Sequence, residues 1–199
     1  MALNNKVHHI HFASLFKPTY VICHTEKKDR DSILMELMTQ LAYQAGIGNV
    51  ELAFQEVQQR ENEIPTIVGP GIAMPHARLE GIDKIVVGIT TIKDGFVYAP
   101  ERSSNVVKLV ILTLAPRTAP GLYLQAISSI AKICQDPTTA EKVAALDDPE
   151  KIWTFFQTNG AALPEYLRVS DIMEPVTVKL QEHDTMERAI DLFVRHRVN

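Results

Sequence analysis

The chain has 199 residues, 46% of them hydrophobic and 22% charged, with a formal net charge of -4. Those proportions sit near the globular averages and exclude disorder, collagen and coiled coil, and the length allows one good-sized domain plus a fragment, or two small ones. Lysines and arginines are spread along the chain rather than gathered in a basic stripe, which disfavours nucleic acid.

The N-terminus, MALNNKVHHIHF, lacks the basic start and long apolar stretch of a secretory signal. His8, His9 and His11 raise the question of a metal, but no carboxylate or cysteine follows at ligand spacing, and a polar N-terminal helix or arm is the better reading. The first strand is expected at Tyr20–His24. A helix follows from Ser32, with Ile33, Leu34, Leu37, Met38, Leu41, Ala42 and Ala45 at helical spacing, Asp31 as its cap and Gly46 as its end. A second helix runs from Asn49, its cap, to about Arg60, with Val50, Ala53, Phe54 and Val57 on one face. The segments TIV, KIVVGITTI and NVVKLVILTLA are dense in β-branched residues and read as strands, the last of them central. The same last run, Val106 to Pro116, is the longest apolar one; Lys108 interrupts it and it falls short of the roughly 20 residues that cross a bilayer. Three helices then open at proline or threonine, over 122–134, 138–146 and 149–158. Cys23 and Cys134 lie far apart and are expected as free thiols in a soluble protein of the reducing cytoplasm.

Between the second helix and the long strands lies GPGIAMPHARLEGIDK, Gly69 to Lys84. Pro65, Pro70 and Pro75 stiffen the approach to His76, and Gly69 and Gly71 let backbone N–H groups come close to an anion. Histidine suits phosphoryl transfer, because an imidazole with an ordinary pKa of about 6.5 is mostly neutral near pH 7 and so keeps a nucleophilic nitrogen. On its own, a histidine beside a proline in a Gly-rich loop is also an ordinary turn residue. Ile72, Met74, Leu79 and Phe96 can be core, or an apolar rim around His76. Arg78 reads as a surface arginine. His24, His183 and His196 are isolated and read as surface or strand-end residues. No paired-carboxylate site, Cys-His dyad, serine nucleophile elbow or P-loop lysine occurs at the required spacing.

RENEIPTIVGPGIAMPHAR, Arg60 to Arg78, resembles the signature of IIA domains of the fructose, mannitol and nitrogen-regulatory type in the bacterial phosphoenolpyruvate-dependent phosphotransferase system, and the order of elements from about Val7 to Gly160 is similar too. The resemblance implies an α+β, three-layer α/β/α domain with a mixed sheet over residues 1–160. It implies His76 as the phosphohistidine, loaded by the phosphocarrier HPr or a relative of it, with Arg60 and Thr66 holding the phosphate and no cofactor. Such domains often carry a second histidine in a His-Leu pair on the helix after the long strand. Tyr123 stands there in this chain, placed to donate one hydrogen bond to the phosphate but unable to carry a positive charge near neutral pH. Two functions therefore stay open: phosphoryl carriage with a regulatory protein as its target, or a non-phosphorylated sensor or docking domain, as the same fold serves in cytoplasmic domains of anion transporters.

After Asn159-Gly160 and Leu163-Pro164 the pattern changes, and a linker is expected over 161–167. VSDIMEPVTVKLQEHDTMERAIDLFVRHRVN resembles the opening of a CBS motif, which implies a partial CBS segment over 168–199, a regulatory role and a homodimer through the tail. PVTVKL is its expected strand. Asp184-Thr185 caps a helix whose Met186, Ala189, Ile190 and Phe193 share a face.

Overall fold

The structure is a computed structural model and describes residues 11–100, 105–159, 180–181 and 183–196. The chain forms two compact units, Met1–Leu167 and Arg168–Asn199.

In the first unit two short 3-10 turns, Phe12–Leu15 and Pro18–Tyr20, lead into strand β1, Val21–Ile22. Helix α1, Arg30–Ala45, starts two residues earlier than its apolar spacing predicts. The cap is Asp29, whose carboxylate accepts the Ser32 N–H at 2.8 Å, and Asp31 lies inside the first turn instead. Gly46 ends the helix in the left-handed region, φ 75°, with its N–H on the Ala42 carbonyl. Helix α2, Val50–Glu63, is capped by Asn49 as expected, its side chain accepting the Leu52 N–H at 3.0 Å, and continues a turn further than its apolar face suggests.

Strands β2 (Ile67–Gly69), β3 (Ile72–Ala73), β4 (His76–Leu79), β5 (Val86–Val97) and β6 (Val106–Pro116) complete a six-stranded mixed sheet in the order β1-β5-β6-β3-β2, with β4 also on β6. β6 is central, as the sequence predicts. It pairs antiparallel with β5 and parallel with both β3 and β4. The parallel register is constant across the two short strands: Ile72 faces Leu109 and His76 faces Thr113, so β3 and β4 are one strand interrupted at Met74–Pro75. Pro75 has no N–H to give, yet its carbonyl accepts the Thr113 N–H at 3.0 Å, which carries the register through the break.

Helices α3 (Pro120–Ile133), α4 (Thr139–Ala144) and α5 (Pro149–Asn159) follow. β5 is buried without a gap from Val86 to Ile92 and β6 from Leu109 to Pro116, so both sheet faces are covered and the sheet is the middle layer. α1 packs on β5 and on α2, α2 packs on β4, and α3 and α4 pack on β6. Phe12, Phe16 and Phe156 close one end of the core, with ring centroids 5.3–5.8 Å apart. Ile72, Met74, Leu79 and Phe96 are all buried, which settles them as core and not as an apolar rim. Cys23 is half-buried and Cys134 buried, and both thiols are free. Burial pushes the Cys134 thiol up to about 12, so it stays protonated.

The described part of the second unit holds helix α6, Met186–His196. Thr185 caps it, its hydroxyl accepting the Arg188 N–H at 3.2 Å, and Asp184 pairs with Arg188 at 3.1 Å. Met186 and Ile190 are exposed. The expected linker and all of the expected strand but Leu180 lie outside the described residues.

Candidate functional site

His76 opens β4, and Arg78, two residues on, shares its side of the strand. β2 flanks β3 but not β4, so past the Pro75 break the strand has a neighbour on β6 alone, and α2 packs over it. This brings the last turn of α2, with Arg60, and the first turn of α3, with Tyr123, over the imidazole. The result is a cleft of about 440 Å³, lined by His76, Arg60, Arg78, Arg117 and Tyr123 among others. His76 is 8% exposed, so the ring forms the floor of the cleft.

The hydrogen bonds of His76 fix its state. Arg60 Nε donates to His76 Nε2 at 2.7 Å. A guanidinium offers only donors, so Nε2 carries a lone pair and the ring proton of the neutral imidazole is on Nδ1. There it donates to the Met74 carbonyl at 3.1 Å. Burial lowers the pKa of His76, and the Arg60 charge lowers it again. The Met74 hydrogen bond and the Glu61 charge oppose both without reversing the direction.

Tyr123 stacks obliquely beside the imidazole, centroids 5.5 Å apart and planes at 42°. Burial holds its phenol above the ordinary range, while Arg60 and Arg78 pull it back. Arg78 is exposed, in keeping with a surface arginine, yet it lines the same cleft. Arg117, just past β6, pairs with Glu56 at 2.9 Å along the wall.

Thr66 is placed differently from its expected role on the phosphate. It is not among the residues lining the cleft. Its hydroxyl donates to Glu61 Oε1 at 2.7 Å and its N–H to Glu61 Oε2 at 3.0 Å. Glu61 is fully buried and takes a third donor, the Tyr98 hydroxyl, at 3.0 Å. Sequence reasoning gave no role to Glu61, although a carboxylate on the buried face of α2, next to Arg60, was a signal of it. Arg117 and Glu56 were missed too, because only the fold brings α2 to the end of β6. Among the described residues no group of three His, Cys, Asp or Glu could hold a metal ion; His8 and His9 lie outside them. No helix among the described residues is long and apolar enough to cross a membrane.

Residues 14–159 match the family described as "Phosphoenolpyruvate-dependent sugar phosphotransferase system, EIIA 2". The chain belongs to this family. Among relatives of this EIIA type-2 domain, a nitrogen regulatory protein of Bradyrhizobium diazoefficiens is 30% identical over 140 residues, which are 70% of this chain and 90% of that protein. A 2-O-alpha-mannosyl-D-glycerate-specific EIIABC component of Escherichia coli is 21% identical over 136 residues, 68% of this chain but 21% of that protein. Among solved structures, the nitrogen regulatory protein IIA-Ntr of Neisseria meningitidis superposes with a TM-score of 0.65 at 19% identity, covering 72% of this chain and 97% of that one. IIA mannitol of Escherichia coli gives 0.59 at 20% identity, covering 70% and 97%. At these identities the superpositions establish the shared fold, and the EIIA type-2 assignment rests on the family match.

Proposed function

We propose that the domain is a phosphoryl carrier in which Nε2 of His76 accepts a phosphoryl group from an HPr-like phosphocarrier and passes it on. The observation that carries this reading is the 2.7 Å hydrogen bond from Arg60 to Nε2, with the Nδ1 proton held by Met74. It leaves a neutral imidazole whose basic lone pair is held by a permanent cation in the wall of the cleft. In the transfer, Nε2 attacks phosphorus, the bond between phosphorus and the carrier's nitrogen breaks, and the carrier's imidazole keeps that electron pair. The Nδ1 proton stays where it is. Arg60 releases the lone pair and turns its donors to the phosphoryl oxygens, a charge-assisted contact worth about 1.5–3 kcal/mol. Tyr123 donates a hydrogen bond from its phenol to the same oxygens, and Thr66 acts from behind, through Glu61.

The role is regulatory, in the manner of the nitrogen regulatory relatives, and cytoplasmic. Its support is the 30% identity to one of them, the free thiols and the tail. The tail, 168–199, is read as a partial CBS segment that pairs in a homodimer. Its support is the order of its sequence and the capped helix α6; the family match ends at residue 159.

A second reading, a sensor that never takes phosphate, draws on Tyr123, which cannot supply the second cationic ring that such sites often carry. The test is incubation with phosphoenolpyruvate and the two upstream carriers, followed by intact mass at neutral pH. One acid-labile phosphate is expected on the wild type and none on His76→Ala, while Arg60→Ala slows uptake by about tenfold or more. No acid-labile phosphate on either wild type or His76→Ala would decide for the sensor.

A further inference from the structure

Glu61 is a fully buried carboxylate with no access to the cleft, one residue from the guanidinium that meets His76. A carboxylate in such a place is costly unless its oxygens are saturated with donors, and here three donors converge on it. Two of the three come from Thr66. Thr66 in turn accepts the Met74 N–H on its carbonyl at 2.8 Å, and the Met74 carbonyl is the acceptor of the His76 Nδ1 proton. An unbroken series of hydrogen bonds therefore joins the buried acid on α2 to the far nitrogen of the imidazole by way of the segment entering β2 and the break before β4.

We propose that Glu61 is a positioning residue for phosphoryl acceptance: by tying down Thr66 it fixes the Met74 carbonyl, which holds the proton on Nδ1 and keeps Nε2 as the nucleophile. The inference rests on the acceptor reading of His76 and adds a residue to it. Without the tie, Thr66 and Met74 follow the turn of a three-residue strand and a two-residue strand, which have little pairing of their own to hold them. Two contacts hold the Nδ1 tautomer, the Arg60 donor on Nε2 and the Met74 acceptor on Nδ1, so displacing the Met74 carbonyl removes one of the two and lets the tautomers mix.

The test reads the tautomer directly, in the unphosphorylated full chain, by long-range proton-nitrogen correlation of nitrogen-15 histidine at pH 8, with His76 assigned by loss of its signals in His76→Gln. The wild type is expected to show the single Nδ1–H pattern. In Glu61→Gln the two ring nitrogen shifts should move toward each other, and phosphate uptake should fall by up to about a hundredfold, the scale of a misplaced reacting group. A folded Glu61→Gln protein with the wild-type His76 pattern overturns the proposal. If that variant does not fold, Thr66→Val decides, since it removes one donor and leaves the other two: a smaller shift in the same direction supports the tie, and an unchanged pattern overturns it. A wild type that never takes phosphate, combined with a tautomer that still shifts in Glu61→Gln, overturns the acceptor reading and leaves the tie between Glu61 and His76 standing.

Discussion

At the scale of single residues, the chemistry of the site turns on how a neutral imidazole is kept neutral. Burial and the Arg60 charge both disfavour a proton on Nε2, so His76 titrates below the ordinary histidine value of about 6.5. Between that value and its own lower one, the unfolded chain binds more protons than the native protein. Stability linked to this ring is therefore complete above about pH 6.5 and is lost as pH falls through the native pKa. Thermal unfolding followed by calorimetry from pH 8 to 5 should show a steeper acid-side fall for the wild type than for His76→Gln; equal slopes would mean that the ring is not held neutral by its surroundings. His76 and Arg60 were legible in the sequence because proline and glycine mark the turn and the motif sets their spacing. The use made of Thr66 was not legible, since the partner that claims its hydroxyl, Glu61, sits on another element and announces itself only through burial.

At the scale of elements, apolar spacing located α1, but its start was misread by two residues. Asp29 and Asp31 are both cap formers, and spacing alone does not say which carboxylate accepts the Ser32 N–H. The close seating of α1 on the sheet depends on Gly88 in β5. A Cβ there would lie 2.8 Å from Cδ1 of Leu41 and 3.0 Å from Cδ1 of Leu37, both fully buried. Gly88→Ala is expected to cost about 1–3 kcal/mol by overpacking, read as a lower urea midpoint with an unchanged slope. In the same strand Gly95 takes φ 72° where the β5–β6 register slips between Thr91 and Phe96, so the strand bends there without strain. The sequence pattern ends β5 at Ile92, since the Lys93, Asp94 and Gly95 that follow are poor strand formers. The slipped register lets the strand run on to Val97.

At the scale of the whole molecule, the sequence reading recovered the layers and missed how the chain is fastened at its N-terminal end. HHIH reads as a polar helix or arm, and of it only His11, which is exposed, lies within the described residues. The next residue, Phe12, is fully buried against Phe16 and Phe156, and Trp153 Nε1 donates to the Ala13 carbonyl at 3.1 Å, tying the first 3-10 turn to α5. A lone phenylalanine amid histidines gives no periodicity, so only the tertiary contact reveals it. Phe12→Ala should destabilise by about 3–5 kcal/mol, measured by denaturant unfolding, while leaving the His76 nitrogen shifts unchanged. The uninterrupted register of β3 and β4 along β6 bears on how such a chain can change its length. One residue added or lost between Ala73 and His76 would turn the imidazole to the opposite sheet surface, away from its arginine, whereas the stretches before β5 and after it carry no such parity. Insertions should thus gather in those stretches and spare the three peptide links from Ala73 to His76.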